Sequence, residues 1–232
     1  MHKIFTLDKT NTFVLFSLNQ IFRNFAVMSY KNIIFDLGGV LVGLDGQRCI
    51  EAFMRIGCPE VARYVELHLT EDLFFDIELG NISTHEFCDE VRRMTGCTAE
   101  DEEIVAAWNA LLTAIPDHKK RLLLDLREQG KRLFLLSNTN DMHWTYTVEE
   151  LLPMGPWGAS DYFEQTFVSY EMHLAKPSEE IFQEVLRQTG IKPHETLFID
   201  DSHANIEAAR RLGIHGFLET TGEEWTKELG GI

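Results

Sequence analysis

Three short apolar runs, far apart in the chain, each stop at a polar residue: Asn32–Phe35 before Asp36, Arg132–Leu136 before Ser137, and Thr196–Ile199 before Asp200. Short runs that are apolar throughout, without polar alternation, describe strands covered on both faces. Between or after them the apolar spacing turns helical, notably over Lys119–Gln129, Ser178–Thr189 and His203–Leu212. Strand alternating with helix predicts an α/β fold with a parallel sheet between two helical layers.

The stretch from Gln47 to Leu112 obeys another rule. Its spacing is helical almost throughout, as in Cys49-x-x-Ala52-Phe53-x-x-Ile56 and Phe87-x-x-x-Val91-x-x-Met94, with breaks at Gly57-Cys58-Pro59, Gly80-Asn81 and Gly96-Cys97. A crossover between parallel strands needs far less chain, so this block reads as a helical cap inserted after the first strand. Pro116 breaks the pattern, and Asp117 is the candidate N-cap of the next core helix. The expected domains are 29–46 with 113–232 for the catalytic core and 47–112 for the cap. Residues 1–28 read as an extension whose presence reflects a start site placed too early, Met28 lying just ahead of the first strand. Within it, Phe13–Leu18 is apolar, but Asn19, Gln20, Arg23 and Asn24 interrupt the residues after it. No run there approaches the roughly 20 residues of a membrane span.

With 37 acidic against 21 basic side chains, the chain has a formal net charge of −16. Nucleic acid and anionic membrane are therefore poor partners, whereas a small phosphorylated metabolite is compatible if a cation reverses the sign of its pocket. Cys49, Cys58, Cys88 and Cys97 form no C-x-x-C pair and read as packed, reduced thiols of a cytoplasmic monomer or homodimer.

In a parallel α/β sheet, ligands bind outside the carboxyl ends of the strands. Asp36, Ser137-Asn138-Thr139 and Asp200-Asp201 all fall there, and Lys176-Pro177 lies in a loop before a helix. Phosphoryl transfer needs an in-line nucleophile, charge neutralisation on the equatorial oxygens, and a metal to hold the group. Asp36 can supply the nucleophile, and Asp36 with Asp201 can hold Mg2+. Ser137, with the amides after it, and Lys176 can meet the phosphate. Each residue alone has a plainer reading as a turn, cap or loop residue. Their order along the chain is what makes them a site.

Those segments resemble the motifs of the haloacid dehalogenase superfamily. Phe35-Asp36-Leu37-Gly38-Gly39-Val40-Leu41 is similar to its first motif, Leu136-Ser137-Asn138 to the second, Lys176-Pro177 to the third, and Phe198–Ile206 to the fourth. The resemblance implies a Rossmann-like core with an α-helical cap. It also implies roles: Asp36 as nucleophile, Ser137, Asn138 and Lys176 around phosphate and aspartate, and Asp36, the Gly38 carbonyl and Asp201 around Mg2+. Asp200 and Asn205 are supporting residues in that scheme.

One position departs from the pattern. Phosphatases of this superfamily usually carry a second Asp two residues after the nucleophile as general acid and base, and here it is Gly38. General acid catalysis is typically worth 10²–10⁴-fold. His143 is a candidate replacement, with a helix or surface role as its plainer reading. Asp-Leu-Gly, Asp45-Gly46-Gln47-Arg48, Ser137–Asn140 and His143 together resemble the branch of bacterial α-D-glucose-1-phosphate phosphatases, whose hemiacetal leaving group depends less on a proton donor. Asp45 and Arg48 also read plainly, as an N-cap and a surface residue.

The expectation is a Mg2+-dependent phosphatase of small phosphate monoesters. A metal-free 2-haloacid dehalogenase is compatible with Gly38, but the Asp200-Asp201 pair opposes it, since uncompensated carboxylates repel the nucleophile and its anionic substrate. A weakly catalytic binding protein of the same fold is the other alternative. A phosphomutase needs a proton shuttle at the place Gly38 occupies.

Overall fold

The computed structural model describes residues 30–66 and 72–230, so the extension at 1–28 lies outside the described residues. Five strands form one sheet: β1 (Asn32–Phe35), β2 (Arg132–Ser137), β3 (Gln165–Val168), β4 (Thr196–Asp200) and β5 (His215–Leu218). Their spatial order is β3-β2-β1-β4-β5, and every pairing is parallel. β1 therefore sits at the centre, with the ends of β2 and β4 flanking Asp36. Ser137 and Asp200 are the last residues of their strands, one residue beyond where the apolar runs stop.

The apolar runs are buried on both faces because successive side chains point to opposite sides of the sheet. Ile33 and Phe35 join one cluster with Leu133, Leu135, Leu197 and Ile199. Ile34 joins the other with Phe134, Leu136 and Phe198. Helices α6 (Asp117–Glu128) and α12 (Glu224–Leu229) cover the first face through Leu123, Leu126, Trp225 and Leu229. The second face is covered by α10 (Glu179–Thr189) and α11 (His203–Arg211), through Ile181, Phe182, Val185, Ile206 and Ala209.

One expectation needs correction. Pro116, not Asp117, occupies the N-cap of α6, and Asp117 is the first residue of the helix. The Pro116 carbonyl already accepts from the Lys119 and Lys120 amides, so the helix starts one residue early without a side-chain cap. The edge strands β3 and β5 add to the three strands legible in the sequence. Each is half exposed along its length, which removes the continuous apolar signature that marks the central strands.

Between β1 and β2 the chain forms α1 (Gly46–Arg55), α2 (Pro59–Glu66), α3 (Asp72–Glu78), α4 (Thr84–Thr95) and α5 (Asp101–Asn109). They enclose an apolar cluster of their own around Phe53, Phe74, Phe87, Val91 and Trp108. Asp45 caps α1 by accepting from the Arg48 amide at 3.1 Å, its plain role, while the Arg48 side chain is exposed. Ser83 and Glu86 form a reciprocal capping box on α4. Cys49, Cys58 and Cys88 are buried in this cluster, Cys97 is half-buried, and all four thiols are free.

The two connections between cap and core run side by side. Leu44 and Leu112 form an antiparallel bridge, the Asp45 amide donates to the Leu111 carbonyl at 2.8 Å, and the Thr113 amide donates to the Gly43 carbonyl at 2.9 Å. These pairs hold together the two places where the chain passes between core and cap.

Trp225 ties the sheet to the loop after β1. It is fully buried, meets Phe35 edge-on at 5.0 Å, and donates its indole N–H to the Val40 carbonyl at 3.2 Å. Truncating a buried tryptophan typically costs about 3–5 kcal/mol. Trp225→Ala should therefore lower the unfolding free energy by about that amount, read as a shift of the urea midpoint by circular dichroism.

Candidate active site

The site is built where β1, β2 and β4 end. After Phe35 the sheet releases the chain into a tight loop, with the Leu41 and Val42 amides both donating to the Leu37 carbonyl. Asp36 stands at its start, mostly buried, and Oδ1 accepts from the Leu37 amide at 2.7 Å.

Lys176 is the hub. Its ammonium lies 2.8 Å from Asp36 Oδ1 and 2.7 Å from Asp200 Oδ2, and it donates to the Leu136 carbonyl at 2.9 Å. Asn138 holds the lysine's backbone in place: its side-chain amide donates to the Lys176 carbonyl at 2.9 Å, and its oxygen accepts from the Lys176 amide at 2.8 Å. Both ends of the Asn138 side-chain amide are thus given to the Lys176 backbone, which is a positioning contact and not a contact with substrate.

Asp200 is fully buried and saturated. Asn205 Nδ2 reaches its two oxygens at 2.9 and 3.1 Å, the Ser202 amide donates to Oδ1 at 2.8 Å, and Lys176 takes Oδ2. That pattern fits a supporting group rather than a free ligand. Asp201 is the exposed member of the pair, and one carboxylate oxygen from each of Asp36, Asp200 and Asp201 lies within 4.8 Å of the others. Its carboxylate presses on the loop after β1. A Cβ added to Gly39 would lie 2.2 Å from Asp201 Oδ2, and the Gly39 φ of 71° favours glycine in any case.

The electrostatics arise from this crowding. Burial pushes Asp36 up to about 7, and the Asp200 charge adds to that, while Lys176 pulls it back. Asp201 is also raised, by burial first and by Asp200 second. Burial alone would lower Lys176, but Asp36 and Asp200 outweigh it and hold the ammonium charged. Three carboxylates crowd together, and the one buried cation pairs with only two of them, Asp36 and Asp200. The cluster retains an excess of negative charge that a divalent ion would neutralise, and its donors are all oxygen, as Mg2+ prefers.

Ser137 is buried beside this cluster, with its hydroxyl 3.3 Å from the Asn138 carbonyl. The Thr139 amide is already given to Ser169 Oγ at 2.9 Å, so among the amides after Ser137 this one does not face an incoming phosphate. His143 does not reach the site chemistry. It is buried, stacks on Trp108 at 5.0 Å, and its Nε2 lies 3.1 Å from the Trp108 carbonyl. Burial lowers its pKa to about 4, so the ring is neutral and joins core to cap. Its helix role holds, and a surface role does not.

A cavity of about 480 Å³ opens beside Asp201, lined by Gly39, Leu44, Thr113, Lys119 and Thr221 among others. A second, of about 600 Å³, lies along β5 and has no part of the Asp36 cluster in its walls. Sequence reasoning missed Ser169 and Lys119. Ser169 comes directly after an edge strand that lacks a continuous apolar run. Lys119, which donates to the Val40 carbonyl at 2.7 Å, is a buried lysine inside an ordinary helical pattern.

The Gly39 contact makes a prediction about metal binding. Gly39→Ala must displace the Asp201 carboxylate, and disturbing the support of a metal ligand typically costs about 10–100-fold in affinity. Calorimetric titration should show Mg2+ binding weakened to that extent in a folded variant.

A family model described as a haloacid dehalogenase-like hydrolase matches residues 30–213. A D-ribitol-5-phosphate phosphatase from Bacteroides thetaiotaomicron is 31% identical over 201 residues, covering 86% of this chain and 96% of the relative. A solved HAD family enzyme from the same organism, in complex with magnesium and inorganic phosphate, is 44% identical with a TM-score of 0.81, covering 85% of this chain and 98% of that one. An L-2-haloacid dehalogenase from Xanthobacter autotrophicus shares the fold at a TM-score of 0.56 and 19% identity, covering 81% of this chain and 76% of that one.

Proposed function

The chain belongs to the haloacid dehalogenase-like hydrolases, and on that premise we propose that it is a Mg2+-dependent phosphatase of small phosphate monoesters, working through an aspartyl-phosphate on Asp36. The observation that carries this reading is the cluster itself: three carboxylates with an oxygen of each within 4.8 Å of the others, two of them, Asp36 and Asp200, paired with a single buried ammonium. The phosphatase relatives and the magnesium–phosphate complex of a 44% identical enzyme support it.

The residues present suit magnesium. Asp200 is saturated by Lys176, Asn205 and Ser202, which leaves Asp36, Asp201 and the Gly38 carbonyl to hold the ion. Bound there, it would neutralise a phosphate beside a nucleophilic carboxylate. Asp36 then attacks phosphorus, and the bond to the leaving oxygen breaks. Lys176, its donors held by Asp36, Asp200 and the Leu136 carbonyl, lends positive charge beside the nucleophile, and the Ser137 hydroxyl is the donor for a phosphate oxygen in the transition state. Water next hydrolyses the acyl-phosphate and frees Asp36. The cap, hinged at its paired connections, closes over the strand ends during the first step to exclude bulk water.

For the substrate we propose a sugar or polyol monophosphate. The named D-ribitol-5-phosphate phosphatase supports a polyol phosphate, and the resemblance to the glucose-1-phosphate branch supports an anomeric sugar phosphate. The excess negative charge of the Asp36–Asp200–Asp201 cluster weighs against the dehalogenase reading. A cytoplasmic location is part of the proposal and rests on the four free thiols.

Purified protein should release phosphate from members of a panel of polyol and sugar phosphates in the presence of Mg2+, and EDTA should abolish the release. Asp36→Asn should lower kcat by about 10³-fold or more. Halide release from 2-chloropropionate with no phosphate release from the panel would overturn the reading.

A further inference from the structure

Two of the four cysteines lie against each other. Cys58 Sγ is 2.9 Å from Cys97 Sγ, both being free thiols. Two sulfurs at that separation need only a small further approach to bond. The other two cysteines are placed differently: Cys49 and Cys88 are fully buried, and Cys88 Sγ turns to the Asp101 carbonyl at 3.9 Å.

Local backbone structure delivers the pair. After α1, Gly57 adopts a φ of 81°, and the Cys58 amide donates to the Phe53 carbonyl at 2.9 Å. The Cys58 carbonyl then accepts from the Ala62 amide at 3.3 Å, at the start of α2. After α4, the left-handed Gly96 ends the helix, and the Cys97 amide donates to Thr95 Oγ1 at 3.1 Å. The same Thr95 oxygen lies 3.8 Å from Cys58 Sγ. Each cysteine therefore sits at a helix end whose backbone is held by hydrogen bonds, and the two ends present their sulfurs to one another.

The two thiols are chemically unequal. Cys58 is fully buried, whereas Cys97 is half-buried and open to solvent on one side. Burial pushes Cys58 up to about 12, and its contact with Cys97 adds to that. Burial also opposes a Cys97 thiolate, but hydrogen bonds to Cys58, Thr95 and Ala99, with the Arg92 charge, outweigh it and hold that thiol below its ordinary value. An accessible thiol with thiolate character beside a second thiol is the arrangement that a peroxide converts to a disulfide.

We propose that Cys58 and Cys97 are a modification site, forming a reversible disulfide that staples the cap when the protein meets a peroxide. With hydrogen peroxide, the Cys97 thiolate attacks one oxygen, the O–O bond breaks, and the departing hydroxide takes up a proton and leaves as water. Cys97 is then a sulfenic acid. The Cys58 sulfur attacks the Cys97 sulfur, the S–O bond breaks, and the hydroxide leaves with the Cys58 proton as a second water. The two thiols have passed two electrons to the peroxide, and a dithiol reductant returns them. In a reducing compartment the bond is transient, in keeping with the free thiols of the resting protein.

The bond joins positions 39 residues apart and closes a ring through α2, α3 and α4. Within that ring, the carbonyl of Glu78 at the end of α3 accepts from Ser169 Oγ at 2.7 Å, and the same hydroxyl lies 2.9 Å from the Thr139 carbonyl. The staple thus encloses the part of the cap that is latched to the core, and the paired linkers at the base stay outside it. Closing a loop of this length removes chain entropy from the unfolded state.

The test gives reduced, full-length protein a near-equimolar amount of hydrogen peroxide, blocks remaining thiols after unfolding with N-ethylmaleimide, and maps the peptides by mass. A linked Cys58–Cys97 peptide should appear, Cys49 and Cys88 should carry the alkyl group, and dithiothreitol should restore all four thiols. The oxidised protein should melt roughly 5–15 °C above the reduced form. Cys58→Ser should accumulate a sulfenic acid at Cys97 that dimedone traps, and Cys97→Ser should leave Cys58 reduced. No linked peptide, a disulfide to Cys49 or Cys88, one between molecules, or an unchanged melting temperature in fully linked protein would overturn the staple. Sulfenic acid trapped first at Cys58 would overturn the order of attack. The mapping uses the wild-type chain, so it decides the matter even where a serine variant fails to fold.

Discussion

Everything at the strand ends depends on one buried ammonium. Lys176 is almost completely shielded from water, and an isolated cation there would be costly. It is tolerated because two carboxylates and a backbone carbonyl surround it. The converse also holds: Asp36 and Asp200 could not sit so close together without a shared cation between them. The arrangement fixes the nucleophile in space, keeps Lys176 charged, and leaves a negative surplus around Asp201. That surplus is what an ion and a phosphate ester, bound together, would relieve.

The scaffold does this with few parts. β1 lies between β2 and β4, so loops from three distant parts of the sequence emerge within reach of one another. Asn138 bonds both the amide and the carbonyl of Lys176, fastening the lysine's loop to the end of β2. Asn205 and Ser202 occupy Asp200, which leaves Asp201 as the outward-facing carboxylate. Ser169 then extends the same framework to the cap, by bridging the turn after β2 and the end of α3. Cap and core are joined at two kinds of place: paired linkers at the base, and this polar latch above the site.

Much of this is legible in the residues. The central strands announce themselves by continuous apolar character, since burial on both faces leaves no room for alternation. The edge strands do not, because half of each faces solvent. Asp36, Ser137, Lys176 and Asp201 are recognisable as a set by their order, three of them at or just past strand ends and Lys176 in the loop before a helix. Asp200 and Asp201 cannot be told apart by sequence chemistry alone, and the hydrogen bonds distinguish them. His143 illustrates the opposite error. A histidine six residues beyond Ser137 looks available for proton transfer, yet it turns into the cap junction and becomes a neutral stacking partner of Trp108.

The sequence by itself determined the alternation of strand and helix, the helical insertion, and the identity of the groups that converge on Asp36. These are encoded locally, in the period of the apolar residues and in the polar residues that end each run. Tertiary structure alone decided which carboxylate is saturated and which is exposed, and which histidine is buried. Those properties depend on distance and desolvation between segments separated by many residues, and no local pattern records either quantity.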